Sequence, residues 1–319
     1  MTIETTASCR VYAILARDGR SGLVFRRGPT RAVLTLRWRL DDDTLEPGQW
    51  LRGRIYERRC DLSPNGELLV YMAAKWETPL ESWTAVSRAP YLTALAMWKG
   101  HGAWGGGGVF NGPKDLGVNL GTLEPIAPKG QRIPWHPLDA EQRRASTPGG
   151  FTVARVADWA GRGEDDPICF HRMQRDGWRV VQRGEAGRYG ADKNFAWVLE
   201  LPEIVERFSP VTDAGQLPLV LRRELKAIGQ RDGPWYVEDF VVQRQDGVAL
   251  RLLANCSWAD WQSNGDLLFA LGGRLHRLTR AHAGDTAADP LENAKLVADL
   301  APLTFRPIAS PEWARAWPA

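Results

Sequence analysis

A chain of 319 residues is long enough for one large β domain or two ordinary ones, and its 44% hydrophobic and 25% charged content is ordinary for a soluble globular protein. No apolar run reaches the length of a membrane span, and the start MTIETTASCR lacks the basic and apolar regions of an export signal, so the cytoplasm is the expected compartment. The net charge is only +3, with 41 Lys and Arg scattered among 38 Asp and Glu, which weighs against a nucleic-acid binder that gathers its cations on one face.

In chain order, a turn signal at Asp18-Gly19 precedes the first predicted strand, RAVLTLRWRL (31–40), whose alternation has the period of two expected of a half-buried strand. GELLVYM (66–72) follows the turn Asn65-Gly66. WKGHGAWGGGGVFNGPKD (98–115) has no periodicity, and residues 121–150, with five prolines, read as an irregular insertion or a connector. Strands resume at GWRVVQR (177–183), FAWVLEL (195–201), YVEDFVVQRQ (236–245) and GVALRLL (247–253). Turns at Asp176-Gly177, Asp232-Gly233, Asp246-Gly247 and Asn264-Gly265 supply the positive φ angles of tight hairpins. The best helix candidate is DPLENAKLVADL (289–300), with Asp289 as N-cap and Pro290 at the first position, although its tail KLVADL reads almost equally as a strand. The closing EWARAWPA (312–319) carries two tryptophans and is expected to dock on the body.

The fold expectation is therefore all-β and mostly antiparallel, and a repeat sharpens it. Asp61-Leu62-Ser63-Pro64-Asn65-Gly66-Glu67-Leu68-Leu69-Val70 can be laid without a gap on Asp260-Trp261-Gln262-Ser263-Asn264-Gly265-Asp266-Leu267-Leu268-Phe269, 199 residues later. Turn glycines at Gly19, Gly66, Gly177 and Gly265 fall near one, two and two units of about 45–55 residues, the scale of a four-stranded propeller blade. The segment from Asp61 to Tyr71 resembles the blade motif of TolB-like and WD40-like β-propellers, with Asn65 in place of the usual Asp, while the Gly-His…Trp-Asp pair of a true WD40 repeat is absent. The resemblance implies a single propeller domain over 1–319, of five or six four-stranded blades, and carries no function by itself. In that architecture the 15 dispersed tryptophans serve as packing between sheets, with a sugar- or base-stacking surface as the other reading. His276 is then expected on an edge strand.

Candidate chemistry is sparse. The four glycines of the 98–115 stretch fit neither a P-loop nor a dinucleotide fingerprint, so they read as a close-packed crossing. The alternative is a loop in which Trp98, His101, Trp104, Asn111 and Lys114 contact a ligand or partner. Cys169 and His171 would share one face of a strand without the further partners a metal or a nucleophilic pair needs; Cys9, Cys60, Cys169 and Cys256 read as buried thiols. The acidic runs Asp41-Asp42-Asp43 and Glu164-Asp165-Asp166 read as solvated turns. Glu238 and Asp239 point to opposite faces of a strand, so only one of them would line a channel. An excess of 34 arginines over 7 lysines reads as a composition bias.

No metal, cofactor or membrane is implied, and no G-x-S-x-G elbow is present. The leading functional expectation is a non-catalytic propeller acting as a protein-binding scaffold component of a bacterial multi-protein system, since Trp and Arg are favoured at interfaces. The alternatives are a carbohydrate-binding or glycoside-cleaving propeller, with paired acids from separate blades, and a nucleic-acid-binding protein.

Overall fold

The computed structural model describes residues 9–28, 31–77, 80–100, 102–103, 105–120, 144–146, 150–156, 165–211, 216–231 and 233–318. The chain divides into two compact units, the first comprising Tyr12–Arg172 and Leu303–Ala319 and the second Ser8–Val11 and Met173–Pro302.

Five sheets account for the strands among the described residues, with the fold class of a five-bladed β-propeller. The first is a meander of Arg10–Leu15, Ser21–Arg27, Ala32–Arg39 and Leu45–Arg52. In the second, Arg54–Ile55 and Asp61–Leu62 both pair with Leu68–Ala74, followed by Ser82–Arg88 and Ala94–Lys99. Every residue of Leu68–Ala74 is buried, because this strand is covered on both faces, and its near-continuous apolar run LLVYMAA suits that position. The third sheet contains Gly108–Gly112, Asp115–Val118, Thr152–Arg155 and Arg144–Ser146.

The second unit holds the other two sheets. One is built on the 12-residue strand Trp197–Phe208, flanked by Arg179–Gln182 and Glu185–Ala186 on one side and followed by Val220–Ile228, Tyr236–Gln243 and Ala249–Leu253 on the other. The last is the meander Trp258–Trp261, Leu267–Leu271, Arg274–Leu278 and Lys295–Asp299. Its core is shared with the fourth sheet: Trp261, Leu267 and Phe269 cluster with Leu221, Phe240 and Leu253. Within this unit Ser257 Oγ donates to the Val11 carbonyl at 2.7 Å.

Among the described residues the sheets are antiparallel with one exception, and three expectations are corrected. The third sheet is not purely antiparallel, since Asp115–Val118 and Thr152–Arg155 pair in parallel. That arrangement follows a long intervening stretch, the Pro-rich 121–150, most of which lies outside the described residues. The helix expected over 289–300 is a turn followed by the strand Lys295–Asp299. Asp289 Oδ1 does accept the Leu291 N–H at 2.8 Å, but it closes a turn because the next residues take a strand place open beside Arg274–Leu278. As a consequence His276 lies on an interior strand, not an edge one. Finally, Cys169 and His171 lie in a π-helical turn (Asp165–Cys169) continued by the short helix Phe170–Arg175, so they share no strand face.

Candidate functional site

The irregular 98–115 stretch is resolved into packing and a hairpin. Trp98 stands opposite Thr84 and is 1% exposed, in a core cluster with Val86, Phe110 and Leu116. Its ring is covered by protein and presents no open face. His101 and Trp104 lie outside the described residues. Asn111 and Lys114 are exposed at the tip of the hairpin made by Gly108–Gly112 and Asp115–Val118. Their carbonyls accept from Arg17 at 3.4 Å and from the Thr152 N–H at 2.8 Å. The structure thus brings two of the five residues together and places a third in the core.

The glycines explain themselves by contact. Gly106 and Gly107 have φ of +100° and +85°, and a Cβ on Gly107 would lie 2.2 Å from the Arg59 carbonyl oxygen. On Gly106 it would press on Met72 and Thr84 at 3.0 Å. The Gly107 N–H donates to Thr84 Oγ1 at 2.8 Å and the Gly106 N–H to the Asn119 carbonyl at 2.6 Å. Backbone can lie this close to a sheet only without side chains, and these N–H groups are spent on protein acceptors, not on an anion.

Sequence reasoning missed the work of the arginines. Arg59, 2% exposed, donates to the carbonyls of Ala103 and Gly105 at 2.6 and 3.1 Å and so holds the glycine loop. Arg172 donates to the Cys60 carbonyl and the Tyr12 hydroxyl. Arg251 fans out to the carbonyls of Asp289, Pro290 and Glu292 at 3.1, 3.0 and 2.9 Å. A guanidinium can serve several acceptors in a fixed geometry, which a lysine ammonium on a flexible stem does less well. The signal in the sequence was the Arg-to-Lys ratio itself, read as bias because the acceptors are loop carbonyls that no motif marks.

Five acids of the fourth sheet, Glu203, Glu206, Glu224, Glu238 and Asp239, lie against cations. Glu238 is buried and accepts from Arg223 Nε at 2.7 Å, with Glu203 at 3.9 Å from the same guanidinium. Asp239, on the other face, pairs with Lys226 and accepts the Asn255 N–H at 2.8 Å. Glu206 accepts from Gln243 at 3.2 Å and from Arg179 at 3.1 Å. Buried pairs of this kind hold strands in place, because removing one partner strands the other charge. Burial pushes the Cys256 thiol up to about 12, which keeps it protonated and a poor nucleophile; all four cysteines are buried. Among the described residues no group of three or more His, Cys, Asp or Glu is placed to hold a metal ion, and no helix is long and apolar enough to cross a membrane.

The surface is more informative. Among the described residues, ten of the fifteen exposed large apolar side chains belong to the fourth sheet and its loops. Along its edge, Val180 and Val181 are exposed on the strand Arg179–Gln182, and Val198 and Leu201 on the strand beside it. Tyr189 is 70% exposed, its ring edge-on to Trp197 at 5.0 Å. Arg179, Arg183 and Arg188 are exposed among them.

No family model matches the chain, and no curated protein does. Solved structures are similar to it. A mutant prolyl oligopeptidase B from Galerina marginata, bound to a 35mer hydrolysis and macrocyclization substrate, has 10% identity and a TM-score of 0.33, covering 93% of this chain and 52% of that one. A second mutant of the same protein has 12% identity and a TM-score of 0.31, with 93% and 51% covered. The chain spans about half the length of the structures it matches.

Proposed function

We propose that this chain is a non-catalytic β-propeller that works as a protein-binding scaffold in a multi-protein system. The observation that carries the reading is the fourth-sheet edge, where Val180, Val181, Tyr189, Val198 and Leu201 are exposed beside three exposed arginines. Clustered exposed apolar residues rimmed by polar ones mark interaction sites, and Tyr and Arg are hot-spot residues. The edge also excludes one mode of binding. Pairing passes from Val180–Val205 to Gln182–Ile204 across an irregularity at Val181, and such a bulge obstructs addition of a further strand. A partner here is held through side chains.

The test is affinity capture from the native cell with the intact chain and with a Val181→Asp/Tyr189→Ser variant. The reading expects one stoichiometric protein with the first bait and its loss with the second. Recovery of the bait alone in both captures overturns it.

A further inference from the structure

Residues 303–318 leave the second unit and pack with the first. The segment joins no sheet: it runs without regular structure to a single 3₁₀ turn at Glu312–Arg315. Three aromatic side chains fasten it instead. The Phe305 ring meets Trp50 of the first sheet at 5.7 Å, with the Arg52 guanidinium 4.3 Å over its face. Trp313 stands edge-on to Tyr91, in the turn after the strand Ser82–Arg88, at 5.4 Å, and Arg88 lies 5.0 Å over it. Trp317 packs on Phe151 of the third sheet's surroundings at 5.2 Å.

Two side chains of the body reach the main chain of the segment. Gln49 Nε2 donates to the Ile308 carbonyl at 3.2 Å while its Oε1 accepts the Leu92 N–H at 2.7 Å, so one amide joins the segment to the turn that carries Tyr91. Arg88 donates to the Trp313 carbonyl at 3.3 Å. Pro307 and Pro311 fix φ in the backbone leading to the 3₁₀ turn and remove donors it would need for strand pairing. Aromatic anchors on a proline-punctuated segment outside any sheet, received by rings and cations on a folded surface, are the elements of peptide recognition.

We propose that the surface of the first unit running from Trp50 through Tyr91 to Phe151 is a peptide-binding surface, occupied in cis by residues 303–318. Its ligand in trans is a protein segment, irregular up to a single 3₁₀ turn, with three aromatic anchors, the second eight residues and the third four further residues along, as at Phe305, Trp313 and Trp317. The bound segment is then an internal competitor that a partner segment displaces. This surface is distinct from the fourth-sheet edge, and the inference holds whichever way that reading falls.

The test uses a fluorescent peptide of residues 303–318 and fluorescence anisotropy. A full-length Phe305→Ala/Trp313→Ala/Trp317→Ala variant, its fold checked by circular dichroism, should bind the peptide at least tenfold more tightly than the wild-type chain, whose own segment competes. The same peptide with its three aromatics replaced by alanine should not bind. Equal binding by both chains, or none by a folded variant, overturns the proposal. Should the variant unfold, the wild-type chain carrying a protease site at Ala301-Pro302 supplies the second measurement. After cleavage, the fold should persist and excess peptide should exchange with the native piece; unfolding on cleavage, or a piece that never exchanges, makes the segment part of the fold and overturns the proposal.

Discussion

The two Asn-Gly hairpins, Asp61–Ala74 and Trp258–Leu271, use one turn in two settings. In both, the glycine N–H returns to the residue three before it, from Gly66 to Ser63 and from Gly265 to Gln262. In both, the asparagine Oδ1 accepts from the residue two after it, Glu67 at 3.2 Å and Asp266 at 3.0 Å. Beyond the turn they part. Asp61 is opposite Val70, whereas Asp260 is opposite Leu268, one residue short of the place its equivalence predicts. The Ser63 hydroxyl accepts the Leu68 N–H at 2.9 Å and widens the first loop by one residue. Gln262 cannot do this, and its amide oxygen accepts from Arg277 instead. The aspartates diverge too. Asp61 is fully buried and accepts the Phe110 N–H of the third sheet at 2.7 Å; Asp260 is partly exposed and pairs with Arg207. A shared turn signature specifies the turn, and the neighbours decide what the strands behind it do.

The strongest way to break this comparison is through the aspartates. Asp61→Ala leaves a buried N–H without its carboxylate and is expected to cost about 3 kcal/mol, against about 1 kcal/mol for Asp260→Ala at its more exposed site. Urea denaturation of both variants checks the difference, and equal losses would show that environment does not set it. The glycines come next. Gly66 and Gly265 have φ of +70° and +88°, but a Cβ on Gly66 would meet Ser21 Oγ at 2.3 Å, while on Gly265 the nearest atom is on the flexible Arg280 side chain at 3.3 Å. Both alanine variants pay the left-handed strain of about 1 kcal/mol, and Gly66→Ala adds overpacking of about 1–2 kcal/mol. Thermal melts should therefore rank Gly66→Ala well below Gly265→Ala.

A smaller effect is confined to the second hairpin. Arg277, itself buried, donates to Asp266 Oδ2 at 2.9 Å as well as to Gln262, and Arg277→Lys should cost about 1 kcal/mol because an ammonium cannot reproduce the paired geometry. A variant as stable as wild type would remove the fork from the explanation. The smallest expected effect is on pH dependence. His276 stacks on Phe269, and burial, with Arg274 beside it, holds its pKa below the ordinary 6.5. Its neutral form therefore favours the fold fully above about 6.5, and that contribution is lost as pH falls through the lowered value. Melts at several pH values should show the wild type losing more stability on acidification than His276→Phe. Identical pH profiles would mean His276 titrates no differently in the folded chain.

Much of the fold could be read because its signals are local. Alternating strands and Asn/Asp-Gly turns act within a few residues, so the hairpin at Asn264-Gly265 and the strands around it stand where expected. The 289–300 error arose where local signals were balanced, with good caps and a β-prone tail, and the pairing with Arg274–Leu278 decided between them. Of the described candidate residues, Asn111 and Lys114 lie at an exposed hairpin tip, while Trp98 is covered by Val86, Phe110 and Leu116, a contact across strands that spacing along the chain does not mark.

The sequence by itself determined the all-β class and the tight turns, because propensity, period and positive-φ residues are properties of short segments. Only the tertiary structure decided the parallel pair in the third sheet, the register of the second hairpin, the loops clamped by arginine and the docking of Phe305, Trp313 and Trp317. Each of these depends on atoms brought together from distant parts of the chain, and no short stretch contains both partners.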